Sequence, residues 1–344
     1  MQILLTETLL DAMPAASLCV GEDDRIILAN AAARQLFGRN LAGRLASDFI
    51  RHPDFHDALG AALGPDGKGQ AQLQLAAAGG KGLYDVHIAR QGDGAMRLVF
   101  FVDRTELDQA AAIRRDFVAN VSHELRTPLT ALVGFIETLR GAARDDAAAR
   151  DRFLTIMERE AGRMIRLVND LLSLSRVEAE EHRRPLQTVE LKSLLRSVML
   201  TERDQATAAG VEMTLQASEA DALVFGDPDQ LMQVFLNLAE NAIKYGAAGG
   251  RILFRIEPIE REPKLRGPAI AVTVEDFGEG IDPLHLPRLT ERFYRVDSHR
   301  SREKGGTGLG LAIVKHIVNR HRGRLKIESE LQKGCKFTVM LPAA

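Results

Sequence analysis

Three groups of residues in this chain have types and spacings that could support chemistry. The first is Ser122-His123-Glu124, set in the run FVANVSHELRTPLTALVGF at 117–135, with Pro128 five residues past His123. Histidine side chains, with a reference pKa of about 6.5, are largely neutral at cell pH, and here a carboxylate stands next in the chain. The run otherwise reads as amphipathic helix. Pro128 has no N–H and disrupts the helical hydrogen bond to the carbonyl of Glu124, so the helix can bend where it presents the pair. Taken alone, a histidine on a helix is an ordinary surface or core residue.

The second group lies in GDPDQLMQVFLNLAENAIKYG, 226–246. Asp227 as N-cap, Pro228 at the first helical position and Gln230 two residues later predict a helix start. At about 100° per residue, Leu231, Val234, Phe235, Leu238 and Ala242 share one side. Asn237, Glu240, Asn241 and Lys244 fall on a different arc roughly 100° wide. Amide and carboxylate oxygens there could ligate Mg²⁺ while the ammonium meets phosphate, although a solvated helix face would show the same stripe. The third group is a pair of glycine loops. DFGEGI (276–281) follows the apolar run AIAVTVE, and GGTGLGLAIVKHIVNRHRG (305–323) is a turn running into a helix. Such a turn offers backbone N–H groups and a helix N-terminus to an anion. Gly306, Gly308 and then Leu311 break the dinucleotide-binding spacing, and no Gly-Lys-Ser/Thr follows, which excludes a Walker loop.

The elements that must position these groups divide the chain in three. Its 344 residues, 45% hydrophobic and 27% charged, suit two or three globular domains. A net charge of −2 gives no global pull toward nucleic acid or an anionic membrane. Cys19 and Cys335 match no disulfide or metal pattern, which suits a reducing compartment. The longest apolar runs, such as LVFFV at 98–102, fall far short of the roughly 18 residues of a membrane span. As given, the chain reads as soluble and cytoplasmic, and a piece cut from a longer, anchored protein would read the same.

Residues 1–105 alternate as half-buried strands at Leu73 and Leu75, at Tyr84, Val86 and Ile88, and at Met96, Leu98, Phe100 and Val102. Asn30 caps a short helix closed by Gly38, and QGDG at 91–94 supplies a hairpin turn. This α+β segment resembles a PAS sensory domain, with Asp103-Arg104-Thr105 as its exit into an output helix. His52, His56 and His87 read as structural or surface residues. Between 106 and 180, two helices carry apolar stripes, Leu107 to Leu139 and Phe153 to Val177, joined by the polar GAARDDAAAR at 141–150. Two such helices cannot enclose a core, so a four-helix bundle made by two chains is expected. EHRRP at 181–185 is a linker, and 186–344 alternates strands and helices as an α/β layer domain.

The ordered series Asn237-x-x-x-Asn241-Ala-x-Lys244-Tyr245, Asp276-x-Gly278-x-Gly280, Glu291-Arg-Phe293-Tyr294-Arg295 and Gly306-Thr-Gly308-Leu-Gly310 resembles the N, G1, F and G2 boxes of sensor histidine kinases. SHELRTPL at 122–129 resembles their H box. The resemblance runs from about Thr105 to the C-terminus, and more narrowly the chain resembles the PAS-containing, phosphate-responsive members. It implies an α/β sandwich of the GHKL (Bergerat) type that binds ATP and Mg²⁺. Asp276 would accept from the adenine amino group and Tyr245 would lie beside the base. Asn241 would ligate Mg²⁺, Asn237 would support the metal–phosphate cluster, and Lys244 would meet the phosphates. Gly278 and Gly280 would let the backbone approach the nucleotide. Gly306, Thr307, Gly308, Leu309 and Gly310 would shape a lid, closed over ATP with the Phe293 and Arg295 segment and made electropositive by RVDSHRSREK at 295–304.

The same resemblance makes His123 the nucleophile toward the γ-phosphoryl group, with Glu124 holding the other ring N–H as general base. Thr127, one turn on, would help position the water that dephosphorylates the partner. The expected activity is autophosphorylation at His123 and transfer to an aspartate of a response regulator, by a homodimer that is also the regulator's phosphatase. An ATPase or clamp of the same nucleotide-binding superfamily, and a non-catalytic ATP-binding scaffold, are the alternatives.

Overall fold

The computed structural model describes residues 8–38, 40–77, 80–91, 96–181, 183–218, 221–265, 267–296 and 306–344. Most of the expected turn at 91–94, His182 of the linker and 297–305 of the expected lid lie outside these. The chain divides into two compact units, Met1–Ala119 and Asn120–Ala344.

In the first unit, β1 (Ala16–Val20), β2 (Ile26–Ala29), β3 (Lys68–Ala77), β4 (Gly80–Arg90) and β5 (Arg97–Asp103) form one antiparallel sheet in the order β2-β1-β5-β4-β3. Helices α1 (Ala31–Phe37) and α2 (Pro53–Ala61) interrupt it in sequence. Asn30 caps α1 as expected, accepting from Ala33 N at 2.8 Å, and its amide donates to the carbonyls of Leu10, Met13 and Ala15. Tyr84, Val86 and Ile88 point into the core, but on β5 the deep face is the opposite of the expected one: Arg97, Val99 and Phe101 are buried. All five residues 98–102 are apolar, so alternation could not choose between the faces. Arg97 is buried because its guanidinium has acceptors there, Leu59 O at 3.2 Å, Asp24 Oδ1 at 2.7 Å and Gly21 O. At the exit, Thr105 Oγ1 accepts from Leu83 N at 3.0 Å while Thr105 N–H donates to Asp103 Oδ1 at 2.8 Å.

Helix α3 (Thr105–Arg140) runs without interruption through Pro128, and α4 (Ala147–Glu180), capped by Asp146, completes the hairpin. Phe135 and Phe153 stack between the two, with ring centroids 5.4 Å apart. In the layer beyond, β7 (Glu212–Ala217), β9 (Arg251–Glu262), β10 (Gly267–Asp276), β11 (Arg324–Glu330) and β12 (Gly334–Pro342) form a sheet in the order β11-β12-β10-β9-β7, with only β7–β9 parallel. Strands β6 (Thr188–Glu190) and β8 (Leu223–Phe225) pair separately. Helices α5 (Leu191–Ala208), α6 (Pro228–Gly246) and α7 (Gly310–Arg320) pack on the large sheet. Ile252, Phe254 and Ile256 alternate inward from β9 against Leu231, Val234, Phe235, Leu238 and Ala242 of α6, all buried. Burying that side of α6 turns its polar arc toward the neighbouring cavity.

Candidate nucleotide and phosphoacceptor site

A cavity of about 410 Å³ opens beside α6, within the range of small-ligand sites. Asn237, Glu240, Asn241, Lys244 and Tyr245 form its α6 wall, and Asp276 at the end of β10 forms its inner end. Among the other sequence-predicted residues, Gly280, Arg295, Gly306, Thr307, Gly308 and Gly310 also line it. Gly278, Phe293 and Leu309 are not among its lining residues. Gly278 N–H donates to Asp276 Oδ1 at 3.0 Å, Phe293 N–H donates to Gly308 O at 2.9 Å, and Leu309 is fully buried.

Asp276 is 5% exposed, and burial raises its carboxyl above the ordinary range, with the N–H groups of Gly278 and Cys335 acting in the opposite direction. An acceptor held this deep suits an amino group arriving with a flat apolar ring. Close backbone approach explains the glycines here. A Cβ on Gly246 would lie 2.4 Å from Asp276 Cβ, and one on Gly280, whose φ is +70°, would lie 2.1 Å from Glu330 O. Cys335 pairs with Asp276 across β10–β12 and also lines the cavity; burial pushes its thiol up to about 11.

Lys244 Nζ is 2.6 Å from Glu240 Oε2. Asn237, Asn241 and Glu240 bring hard oxygen donors to one wall, the donor type that Mg²⁺ takes. No group of three or more His, Cys, Asp or Glu residues could hold a metal among the described residues, so a cation here would complete its shell with water and phosphate.

His123 and Thr127 are exposed on α3, outside the cavity, and Thr127 Oγ1 donates to His123 O at 3.2 Å. The carboxylate of Glu124 meets two arginines: Arg163 Nη2 of α4 lies 2.5 Å from its Oε2, and Arg295 Nη1 lies 3.9 Å from it. Arg295 also lines the cavity, so one side chain spans from the nucleotide site to the residue after His123. Sequence reasoning missed the contribution of α4, whose Arg166, Asn169 and Asp170 line the same cavity. They occupy polar positions of an amphipathic helix, where no local pattern marks them.

Residues 226–344 match the family of histidine kinase-, DNA gyrase B- and HSP90-like ATPases, 113–180 the His kinase A phospho-acceptor domain, and 4–66 a PAS domain. The phosphate regulon sensor protein PhoR of Pseudomonas aeruginosa is 39% identical over 332 residues, covering 95% of this chain and 72% of that protein. The chain belongs to the sensor histidine kinases. Sensor histidine kinase WalK of Bacillus subtilis is 37% identical over 250 residues, 73% of this kinase and 40% of WalK. The crystal structure of histidine kinase ThkA in complex with response regulator protein TrrA shares the fold at a TM-score of 0.53 and 20% identity, covering 98% of each chain. The layer built on α6 and β10 is thus the ATP-binding domain of a protein histidine kinase. No helix among the described residues is long and apolar enough to cross a membrane.

Proposed function

We propose that this kinase autophosphorylates on His123 with ATP bound in the α6–β10 cavity, then passes the phosphoryl group to an aspartate of a response regulator. The reading rests on one observation: a cavity lined by Asn237, Asn241, Lys244, Asp276 and the glycine loop has on its wall an arginine, Arg295, that reaches Glu124 beside the exposed His123. Asp276 reads the adenine amino group and Tyr245 borders the base. Lys244 and the N–H groups at the start of α7 meet the phosphates. Asn241, supported by Asn237, holds Mg²⁺, which neutralises phosphate charge when bound. Phosphoryl transfer depends mostly on positioning and charge neutralisation, so the residues have little covalent work beyond the attack by His123. Glu124 orients the imidazole and balances its developing positive charge.

The PAS unit at 1–105, the phosphotransfer hairpin at 106–180 and the catalytic domain at 186–344 serve as sensor, acceptor and donor. Two chains join through the hairpins, and the regulator is of the phosphate-regulon type, as the similarity to PhoR suggests. Thr127 places a hydroxyl one turn from His123, where it can position water for dephosphorylation of the regulator. The test is labelling with ATP radioactive at the γ-phosphate. Wild type should acquire acid-labile, base-stable label, and His123→Gln and Asn241→Ala should acquire none. Label persisting on His123→Gln would move the acceptor elsewhere, and steady hydrolysis without an adduct would favour a plain ATPase.

A further inference from the structure

The cavity contains an acid that the nucleotide reading does not use. Asp170 lies on α4, outside the ATP-binding layer, yet it lines the cavity with Asn237, Lys244 and Asp276. Thr307 Oγ1 of the glycine loop donates to Asp170 Oδ2 at 2.7 Å and accepts from Leu309 N at 3.3 Å. One hydroxyl therefore joins α4 to the glycine loop that lines the cavity. Charges around the carboxylate are mixed: Lys244 and Arg166 favour its ionised form, and Glu240 opposes it. Burial outweighs the favourable neighbours and raises its pKa. Lys244 already pairs with a carboxylate, that of Glu240.

Lys244, which the proposed function gives to the phosphates, is thus one of the cations that favour the ionised acid. An acid and a polyphosphate in one partly desolvated space repel each other, because the local dielectric screens them poorly. We propose that Asp170 is a built-in anion of the nucleotide site, held at the glycine loop by Thr307 in the electrostatic place of a phosphate, so that nucleotide binding and the docking of α4 on the ATP-binding layer oppose each other. Four further contacts keep the acid there. Ser173 donates to Gln233 at 2.8 Å, Arg292 pairs with Glu178, Glu181 meets His316 at 3.2 Å, and Glu180 meets Arg320 at 2.7 Å. Linkage makes the opposition reciprocal, so an occupied site weakens the hold on the hairpin that carries His123's partner residues.

The inference rests on the nucleotide reading, and the test separates the two. Full-length chain is titrated with ADP, with EDTA and then with Mg²⁺, as wild type, Asp170→Asn and Asp170→Ala, with thermal unfolding confirming that each variant is folded. The asparagine keeps the shape and an acceptor oxygen for Thr307 without the charge; the alanine removes both and controls for a misfolded amide. Both variants should bind ADP without metal at least about five-fold tighter than wild type, the lower end of ordinary coupling between sites. Equal or weaker binding by both overturns the proposal. A loss of affinity that appears only with Mg²⁺ also overturns it, by making Asp170 a metal ligand. Failure of wild type to bind ADP at all would instead remove the nucleotide reading beneath it.

Discussion

Glu124 shows how one side chain can serve two masters. Its carboxylate is 20% exposed, with Arg163, 10% exposed, at 2.5 Å and Arg295 at 3.9 Å. If it acts only as an anchor for Arg163, replacing it by glutamine keeps a hydrogen-bond acceptor and changes stability more than rate. If it also balances charge on His123 during attack, glutamine removes the charge that the transition state needs. General acid–base groups contribute about 10²–10⁴-fold, so Glu124→Gln is expected to slow labelling by about 10²-fold, with the KM for ATP nearly unchanged and the residual label still on His123. Rapid-quench labelling together with a melting curve reads both quantities. A shifted melting temperature with an unchanged rate would leave Glu124 a tether. At this scale the sequence disclosed one partner of each pair. Glu124, Thr307 and Asp276 sit in recognisable strings, whereas Arg163, Asp170 and Cys335 reach them only through helix docking and strand register, which no local spacing encodes.

At the scale of elements, the ATP-binding layer depends on a junction between two helix ends. His321, fully buried just past α7, accepts from Asp227 N at 2.9 Å through Nε2, and its Nδ1–H donates to Ile317 O at 2.8 Å. Asp227 is also the N-cap of α6, so a single imidazole fixes where the polar arc of that helix begins. Burial depresses the pKa of His321, Arg320 adds to the effect, and the bond to Ile317 opposes it. The folded state therefore binds this proton less readily than the unfolded chain. The stability it contributes is present above the unfolded value of about 6.5 and is lost as pH falls below it. The urea midpoint of the ATP-binding layer is expected to drop between pH 7.5 and 5.5. His321→Phe should cost about 1–3 kcal/mol at pH 7.5, by leaving Asp227 N–H unpaired, and should flatten that pH dependence. An unchanged slope would assign the acid sensitivity to other groups. The helix itself was legible, because Asp227-Pro228 and the two arcs of α6 are local patterns. The junction was not, since 94 residues separate its partners. The inverted face of β5 failed for a related reason: a run without polar residues carries no phase, and only the acceptors around Arg97 decide it.

At the scale of the whole molecule, the hairpin is unfinished within one chain. Pro128 is the only buried residue of α3, although the helix carries a continuous apolar stripe. Leu129, Val133 and Ile136 are 53%, 49% and 44% exposed, and Ile165 and Leu172 of α4 are 62% and 53% exposed. Contiguous apolar surface of this kind marks an association site, and the stripe on both helices matches the seam of a four-helix bundle. In the proposed dimer a second copy of the same hairpin completes it with twofold symmetry, so each substitution acts twice. Fully burying a Leu or Ile side chain is worth about 1.5–3 kcal/mol, and a lysine in its place adds the cost of a desolvated charge. Both side chains are about half exposed in one chain, so Leu129→Lys with Ile136→Lys removes about half of that burial from four side chains per dimer, on the order of 3–6 kcal/mol, which weakens association by at least roughly 10²-fold. Sedimentation equilibrium at micromolar concentration should find wild type dimeric, with a melting temperature that rises with concentration, and the double variant monomeric. ADP binding should survive in that monomer, because the cavity is built from one chain's α4, α6, β10 and glycine loop. A wild type that sediments as a monomer, or a double variant that stays dimeric, would mean that these stripes pack against something other than a second hairpin.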